Sequence, residues 1–511
     1  MRRLLQIVIV AAILLPLAIV AQGPQGSADV QLQLSDLLFA EARYAEAVDA
    51  YRRAVALNDS PTISRAAAGL VLSHLRVGDF RSASTEAESL RRAHPGDALI
   101  AAVHGDALWA LGMFQEAEDA YRACLDADPT QPRGRHGHAR SLAAMNRLGE
   151  AMVEAQEALR LNPREPEFHY TVGSIYERMH RFDEAAAAFG NYVNLLPNRD
   201  RSEKAAWARA EIRFLDSFKD RRPFDFGPHA EGRTWTVPIS IEHEKVFVRG
   251  KVNGGDQTFV LDTGAEQTIV SRDVARHRGI VPITYMQSAG VGDVGLRGLQ
   301  VGRIDVLEVG ELKIRNVPCL IKNPPLGGLP GREPESFSPL ALGLSMRIDY
   351  KRRQLVIASS GAPSESGALP VVQSEELPLR MHRLATVRGT VNGSLPATFV
   401  VDTGGEVISI SQATATALHK PETGRRIALK VYGTSGWDPD AFLMPGVDLM
   451  FDTIQYKNFP VVVLNLDAPS ALLGFQLGGI VGHKFLSKYR VTIDLDRSVM
   501  RLESEEPISN P

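Results

Sequence analysis

Two aspartates, Asp262 and Asp402, each end an apolar stretch and are followed by a threonine and a glycine. The two segments are Thr258-Phe-Val-Leu-Asp-Thr-Gly264 and Thr398-Phe-Val-Val-Asp-Thr-Gly404. Glycine permits a sharp turn and lets backbone N–H groups approach a carboxylate. If the two carboxyl groups face each other, they share one proton, because like charges in contact cannot both ionise. One would then be the acid and the other the base that activates a water for amide hydrolysis.

The flanks of the two motifs are also alike, which makes the pair an internal repeat. The aspartates are 402 − 262 = 140 residues apart, and a Val-Asn-Gly sequence precedes each motif, ending at Gly254 and Gly393. A strand-forming run follows each motif and ends at Ser271 and Ser411. A single Asp-Thr-Gly would be an ordinary turn after a strand. Two copies with matching flanks favour a paired-carboxylate site.

The region from about Trp235 to Leu502 resembles the retropepsin-like aspartic proteases of the pepsin superfamily, in which each of two lobes carries such a motif. The resemblance implies an all-β, two-lobed domain and assigns roles to both motifs. The residues concerned are the catalytic Asp262 and Asp402, with Thr263, Gly264, Thr403 and Gly404 supporting the active-site loops. It also implies that the two threonines form a hydrogen-bond lattice between the lobes.

The residue that follows each Asp-Thr-Gly motif affects the acidity of the site. The residue after Asp-Thr-Gly is usually serine or alanine in the family, and a serine there donates a hydrogen bond to the outer carboxylate oxygen. Ala265 conforms to this pattern, whereas Gly405 does not. Both lobes are therefore expected to lack that hydrogen bond.

The family also has an apolar-apolar-glycine strand late in each lobe, crossing beneath the active-site loop. The segments Ala341-Leu-Gly343 and Ile480-Val-Gly482 match it, at 343 − 262 = 81 and 482 − 402 = 80 residues past the aspartates. The lobes diverge afterwards, since lobe one continues directly to Met346-Arg-Ile-Asp349. Lobe one is therefore expected to lack a short helix that lobe two keeps.

A glycine-rich segment between each motif and its late glycine predicts a hairpin flap over the cleft. The two segments are residues 287–295 in lobe one and residues 431–437 in lobe two. Glycine at a hairpin tip permits hinge motion and close approach to a peptide. The residues expected to contact substrate are Gly290, Gly292 and Trp437. An ordinary hairpin turn is the alternative.

Length, charge and cysteine content limit the other function classes. A chain of 511 residues predicts about three domains, and a net charge of −3 indicates neither nucleic acid nor a polybasic membrane surface as partner. Cys124 and Cys319 can build neither a disulfide framework nor a zinc site. His136 and His138 fall on different faces of a helix. No metal and no cofactor are therefore predicted.

The first 23 residues have the pattern of an export signal. Two arginines precede the apolar run Leu4–Val20, and Ala21-Gln-Gly23 supplies small residues for cleavage. The run approaches membrane-spanning length, so residues 4–20 would alternatively remain as an anchor. The protein is expected to be exported to the periplasm or beyond, with anchoring to the inner membrane as the alternative.

Residues 28–219 are helical and periodic. Small residues recur at intervals of 36, 34, 34 and 34, at Ala47, Ala83, Ala117, Ala151 and Ala185. This period resembles that of tetratricopeptide proteins, which implies stacked helix pairs with a concave face and a final capping helix. Such arrays bind peptides or protein partners, and a structural spacer is the alternative.

The chain is therefore predicted to be multidomain, an all-α tetratricopeptide solenoid followed by an all-β two-lobed domain resembling aspartic proteases. The predicted divisions are residues 1–23 for the signal or anchor, 28–219 for the array, 230–358 for lobe one and 377–505 for lobe two. A Ser/Gly/Pro-rich linker beginning at Ser359 separates the lobes.

The predicted function is an aspartic endopeptidase, a hydrolase whose repeats recruit a protein substrate or partner. The alternative is a non-catalytic peptide-binding or scaffold protein that retains the cleft. Two intact aspartates favour the enzyme. Because the repeats supply no acid to the proposed chemistry, the lobes are expected to fold and act on small peptides without residues up to about Lys219.

Overall fold

The computed structural model describes residues 24–228, 230–292, 297–322, 335–363, 371–418, 427–433 and 436–506. The predicted signal or anchor, residues 1–23, lies outside this part of the chain. Within the described residues, no helix is both long enough and apolar enough to span a membrane.

The first part of the described chain is helical and forms five helix pairs followed by one further helix. In chain order the helices are α1 (Pro24–Ala40), α2 (Tyr44–Ala56), α3 (Ile63–Arg76), α4 (Phe80–Ala93), α5 (Ala98–Ala110), α6 (Phe114–Ala127), α7 (Pro132–Ala144), α8 (Leu148–Leu161), α9 (Pro166–Arg178), α10 (Phe182–Leu195) and α11 (Glu203–Asp216). The five marker alanines are completely buried. The predicted helical solenoid is confirmed.

Small residues and aromatic rings set the spacing between helices of the array. Tyr121 on α6 is completely buried, and a side chain on Gly105 or Gly137 would collide with its ring. The Tyr121 hydroxyl donates a hydrogen bond to Asp106 Oδ1 at 2.9 Å. Asp106 also pairs with Arg133 at 2.8 Å, which satisfies this buried carboxylate. Glycine therefore makes room for the aromatic residue that joins neighbouring repeats.

Lobe one is mainly β-structure. Its elements are β1 (Thr234–Glu242), β2 (Lys245–Val252), β3 (Gly255–Leu261), β4 (Thr268–Val270), α12 (Arg272–His277), β5 (Thr284–Ser288), β6 (Arg297–Val309), β7 (Leu312–Ile321), β8 (Glu335–Phe337), a 3₁₀ turn (Leu340–Leu342), β9 (Ser345–Asp349) and β10 (Gln354–Ala358).

Lobe two repeats this order with additional short elements. They are β11 (Gln373–Met381), β12 (Ala385–Val391), β13 (Leu395–Val401), β14 (Ser409–Ser411), α13 (Gln412–Ala417), β15 (Ile427–Ala428), β16 (Val431–Gly433), β17 (Gly436–Asp438), β18 (Phe442–Phe451), β19 (Ile454–Leu464), α14 (Asp467–Leu473), β20 (Gly479–Val481), α15 (His483–Leu486), β21 (Arg490–Asp494) and β22 (Val499–Ser504). Strand β11 begins at Gln373, four residues before the predicted start of lobe two at residue 377.

The two lobes share one pattern of strand pairing. Strands β3 and β13, which end at the Asp-Thr-Gly motifs, pair in parallel with β8 and β20 respectively. Strands β4 and β14, which follow the motifs, pair in parallel with β7 and β19. Ser271 and Ser411 then cap α12 and α13 by accepting hydrogen bonds from backbone N–H groups at 3.2 and 3.1 Å. The repeat in the sequence is therefore also a repeat in the structure.

An antiparallel sheet joins the two lobes. Its described strands lie in the order β1, β10, β9, β21, β22 and β11, so three strands come from each lobe. At its centre, Ile348 of β9 lies opposite Val491 of β21. One hydrophobic core runs through both lobes beneath this sheet. The backbone ladder and the shared core hold the two Asp-Thr-Gly loops at a fixed separation.

The helical array packs directly on both lobes. Trp109 and Phe114 share an apolar cluster with Phe475 of lobe two, and aromatic residues of α10 and α11 share another with Met286 and Leu320 of lobe one. Polar contacts accompany these clusters. For example, the Thr398 hydroxyl on β13 donates a hydrogen bond to the carbonyl of Gly112 at 2.6 Å. The array and the lobes therefore form a joint apolar interface.

Candidate active site

Asp262 and Asp402 lie immediately after β3 and β13, at equivalent positions of the two lobes. The backbone N–H of Asp262 donates to the carbonyl of Phe337 at 2.9 Å, and that of Asp402 donates to the carbonyl of Val481 at 3.0 Å. Each aspartate is thus fixed by the strand that runs parallel to its own. Both aspartates are half-buried.

Thr263 and Thr403 form a symmetrical lattice between the lobes. The Thr263 N–H donates to Thr403 Oγ1 at 3.1 Å, and the Thr403 N–H donates to Thr263 Oγ1 at 3.0 Å. Each threonine hydroxyl then donates at 2.7 Å to a carbonyl of the opposite lobe, that of Val401 or Leu261. Both threonines are buried. The lattice satisfies these buried polar groups and ties the two active-site loops together.

Gly264 and Gly404 each lie against the carboxyl group of the other lobe. A Cβ on Gly264 would be 2.6 Å from Asp402 Cγ, and a Cβ on Gly404 would be 2.7 Å from Asp262 Oδ1. Both separations are shorter than a van der Waals contact, so a larger residue at either position would push the two loops apart. Glycine is therefore required here for the close approach of the lobes.

The two carboxyl groups have different hydrogen-bond partners. Asp262 Oδ1 accepts from the Gly264 N–H at 3.1 Å. Asp402 Oδ1 accepts from the Gly404 N–H at 2.8 Å and from the Gly405 N–H at 3.0 Å. The two carboxyl groups also interact with each other electrostatically, and each affects the pKa of the other. Asp402 therefore has the better-stabilised negative charge.

The same differences affect the pKa of each aspartate. Burial, followed by the neighbouring Asp402 carboxylate, raises the pKa of Asp262 to about 7. Burial also raises the pKa of Asp402, but the N–H groups of Gly405 and Gly404 oppose that increase. The two N–H groups at Asp402 favour its ionised form, which makes Asp262 the more readily protonated member of the pair.

The strand beneath the lobe-one loop differs from the sequence prediction. In lobe two, β20 contains Ile480 and Val481 and leads to Gly482, as predicted. In lobe one the equivalent strand is β8, since Phe337 pairs with Leu261 as Val481 pairs with Val401. The prediction of Ala341-Leu-Gly343 is therefore wrong, because these residues form the 3₁₀ turn and Gly343 that follow the strand. The residue equivalent to Gly482 is Ser338, at 338 − 262 = 76 residues past the aspartate.

This corrected register reveals a polar partner that the sequence did not indicate. Ser336, in the middle of β8, is buried, and interaction of its hydroxyl with the Asp262 carboxyl group lowers the pKa of Asp262. The equivalent residue of lobe two is Ile480, which has no hydroxyl. Lobe one therefore obtains a serine contact from β8, although Ala265 follows its motif.

Both predicted flap segments lie on hairpins. Strands β5 and β6 pair from Ser288 opposite Arg297, with Gly290 and Gly292 beyond the end of β5. Strands β16 and β17 pair with Gly433 opposite Gly436. Residues 293–295 and 434–435 of the predicted segments lie outside the described residues.

The two hairpins meet near their tips. A Cβ on Gly433 would collide with the backbone carbonyl and side chain of Val291. Trp437 is half-buried on β17 and packs edge-on against Tyr432, with ring centroids 4.3 Å apart. The Lys430 ammonium group lies 5.7 Å from the centre of the Trp437 ring. Contact of Gly290, Gly292 and Trp437 with substrate remains a prediction.

An ion pair beside the catalytic loop was not anticipated from the sequence. Glu266 follows the lobe-one motif, and its Oε2 lies 2.7 Å from a guanidinium nitrogen of Arg383 in lobe two. The position of Glu266 next to the lobe-one motif could have drawn attention to it. Its partner Arg383 lies 117 residues later (383 − 266 = 117), and no local pattern in the sequence indicates this pairing.

The histidines of the array have packing roles. His136 is buried, its Nε2 lies 2.8 Å from the Thr171 hydroxyl, and its ring stacks near Phe168 with centroids 4.6 Å apart. Burial lowers the pKa of His136 to about 3, so the ring is neutral. In the part of the chain that the structure describes, no three histidine, cysteine or acidic residues are grouped as ligands for a metal ion.

Family comparisons match both parts of the chain. Residues 248–329 match a family described as "gag-polyprotein putative aspartyl protease", and residues 387–482 match one described as "Aspartyl protease". Tetratricopeptide repeat families match residues 28–61, 68–132 and 136–194. The chain therefore combines a tetratricopeptide array with two lobes of the aspartyl protease type.

Individual relatives cover the chain only in part. An inactive TPR repeat-containing thioredoxin, TTL3, of Arabidopsis thaliana is 32% identical over 81 residues, which is 16% of this chain and 12% of that protein. A thermophilic TPR protein of Thermus thermophilus is 20% identical, with 36% of this chain and 98% of that chain covered and a TM-score of 0.31. PilF of Pseudomonas aeruginosa is 14% identical, with 39% and 88% covered and a TM-score of 0.29.

Proposed function

We propose that this protein is an aspartic endopeptidase that hydrolyses peptide bonds with a water activated between Asp262 and Asp402. The observation that carries the proposal is the close approach of the two equivalent loops, in which Gly264 and Gly404 each lie against the carboxyl group of the other lobe. A pair of carboxyl groups that holds one proton contains an acid and a base at the same point. This is the arrangement that addition of water to an amide requires.

The asymmetry of the pair assigns a role to each aspartate. Ionised Asp402 accepts a proton from the water as its oxygen attacks the scissile carbonyl carbon. Asp262 donates its proton to the carbonyl oxygen, so a neutral tetrahedral diol forms without a covalent bond to the protein. Proton transfer to the amide nitrogen then allows the C–N bond to break, giving a carboxylic acid and an amine.

The flap hairpins supply the surface for substrate binding in this proposal. Gly290 and Gly292 would allow the substrate backbone to approach the lobe-one tip closely, because glycine has no side chain there. Trp437 presents a large, partly exposed ring next to Tyr432, which suits an apolar side chain of a peptide. A peptide or unfolded protein segment is therefore the proposed substrate.

The array gives the proposed enzyme a second means of contact with proteins. Tetratricopeptide repeats generally mediate protein–protein interactions, so we propose that the repeats also recruit a protein partner or substrate. The apolar run at residues 4–20 supports export to the periplasm or beyond, or anchoring to the inner membrane. Cleavage of proteins in the bacterial envelope is the corresponding proposed role.

The experiment that tests this function is digestion of an unfolded protein by the purified full-length chain. A reduced and alkylated protein is incubated with it at several pH values between about 4 and 7, the range in which the raised pKa of Asp262 keeps the acid protonated. We expect internal cleavage products in mass spectra. A peptide analogue with a tetrahedral hydroxyl in place of the scissile carbonyl should block their formation. Binding of the analogue without any cleavage at these pH values would instead indicate a peptide-binding protein.

A further inference from the structure

The turn between β11 and β12, residues 381–384, is docked on the helical array. The Arg178 side chain at the end of α9 donates a hydrogen bond to the carbonyl of Met381 at 3.1 Å. The same guanidinium group donates to the carbonyl of Ala143 at 2.7 Å and to Asn146 Oδ1 at 2.9 Å. Arg178 therefore joins the lobe-two turn to two repeats at once.

His382 anchors the turn by packing among aromatic rings. Its centroid lies 5.0 Å from that of Trp109 and 4.2 Å from that of Phe114, both in the array, and 4.9 Å from that of Phe475 in lobe two. Burial lowers the pKa of His382 well below its usual value, and its Nε2 forms no hydrogen bond with the described residues. The imidazole is neutral and acts as an aromatic wedge between the array and lobe two.

Arg383, the next residue, extends from this docked turn to the catalytic loop of lobe one. Its guanidinium group forms the 2.7 Å ion pair with Glu266. Glu266 follows Ala265, whose N–H donates to the backbone carbonyl of Asp262 at 3.2 Å. The array is therefore connected to the lobe-one loop by three consecutive residues, Met381, His382 and Arg383, and by the ion pair between Arg383 and Glu266.

Acidic residues of the array also surround Arg383. Glu177 on α9 and Glu211 on α11 both interact electrostatically with Arg383 and Glu266. Glu211 is only 1% exposed, and burial raises its pKa well above the usual value. Burial also raises the pKa of Glu177 to about 7, with the charge of Glu266 contributing and that of Arg383 opposing. Burial and the charge of Glu266 both favour the neutral forms of these two glutamates, and Glu266 is the carboxylate in direct contact with Arg383.

We propose that the helical array positions the active-site loop of lobe one, with Arg383 as the positioning residue and His382 and Arg178 as its anchors. The inference rests on the proposed function, since it concerns the geometry of the same pair of aspartates. The array thereby becomes part of the catalytic apparatus in addition to any role in recruitment. Displacement of a catalytic group by about 1 Å can cost on the order of a hundredfold in rate.

The test compares Arg383→Met with Arg388→Met in the full-length protein. Arg388 is a matched control, because it also joins lobe two to the array, through Glu116 at 2.5 Å, and its ion-pair partner belongs to the array rather than the active-site loop. Hydrogen exchange is measured by mass spectrometry in the peptide covering residues 258–269. We expect exchange there to rise about tenfold in Arg383→Met, with kcat about tenfold lower and KM nearly unchanged. Arg388→Met should leave exchange in this peptide and both kinetic constants unchanged.

A second pair of variants tests the array's part in this path. His382→Ala removes the wedge and should also increase exchange in residues 258–269, whereas His382→Phe retains an aromatic wedge and should restore much of the protection. If Arg383→Met does not fold, the comparison of His382→Ala with His382→Phe tests the proposal instead. Unchanged exchange at residues 258–269 in folded Arg383→Met, or in folded His382→Ala, would overturn the proposal. Hydrogen exchange can be measured without a substrate. If the protein had no peptidase activity, the proposed function would be contradicted, but the exchange measurements would still test whether the array positions the loop.

Discussion

Asp262→Asn and Asp402→Asn are each expected to lower kcat/KM for a peptide by at least about a thousandfold. An asparagine at Asp262 cannot donate the proton that the carbonyl oxygen requires, and one at Asp402 cannot accept the proton of the water. Either change also leaves a single carboxyl group where the mechanism needs two. The measurement is the rate of cleavage of one fluorogenic peptide by each purified variant at acidic pH.

The appropriate control is Asp273→Asn on α12. Asp273 belongs to the same lobe, but its side chain is exposed and pairs with Arg276 at 2.8 Å on the same helix. Exposed pairs of this kind contribute little to stability, so activity and thermal unfolding should both match the unmodified protein. A variant of Asp262 or Asp402 that kept full turnover would show that the pair is not the catalytic centre.

Removal of the helical array is expected to prevent the lobes from folding into a stable, soluble unit. Fully burying a large apolar side chain contributes about 1.5–3 kcal/mol, and several such residues of both lobes pack against the array, including Phe475, Met286 and Leu320. Their combined loss approaches the whole stability of an ordinary domain, about 5–15 kcal/mol. A protein containing only residues 219–506 should therefore aggregate or lack a cooperative thermal transition.

A shorter deletion provides the control for this prediction. Residues 24–61 contain the first repeat, whose apolar cluster, with Leu32, Tyr51 and Leu70, consists of array residues. Their removal should leave the fold of the lobes intact. The sequence-based expectation of independent lobes would be supported instead if residues 219–506 alone were monomeric, with the unfolding temperature and peptidase activity of the full chain.

The Asp-Thr-Gly repeat carried enough information to predict the architecture of the site. Each motif combines an apolar strand, an acid and a glycine, and each glycine proves to lie against the carboxyl group of the other lobe. Such a close approach depends on local chain geometry and on symmetry, both of which are visible in a repeated sequence. The same holds for the array, because its alanine spacing reflects the packing of neighbouring helices.

The late strand of lobe one could not be located by the same reasoning. Along the sequence, Gly343 follows Asp262 by nearly the same number of residues as Gly482 follows Asp402. Strand register, however, depends on which backbone groups pair and not on the spacing of glycines in the sequence. The structure pairs Phe337 with Leu261, which places Ser336 beside Asp262. Because β8 was not predicted to be a strand, the contact of Ser336 with Asp262 could not be anticipated.

Contacts between the array and the lobes were also beyond sequence reasoning. His382 and Arg383 lie in a short turn with no repeat, motif or periodicity. Their partners come from α5, α6 and both lobes, and only the docking of separate domains brings these together. Treating the domains as independent therefore led to the expectation that the lobes fold and cleave small peptides without the array.

The acid and base roles of Asp262 and Asp402 are tested most directly by the pH dependence of kcat/KM for one peptide, measured with the unmodified protein and with Ser336→Ala. Asp262 must hold its proton, so activity should fall as the pH rises through about 7, and it should fall again at low pH as Asp402 becomes protonated. Because the Ser336 hydroxyl lowers the pKa of Asp262, its removal should move the alkaline limb to higher pH. A rate that instead keeps rising with pH above about 8 in both proteins would contradict a mechanism in which Asp262 is the acid.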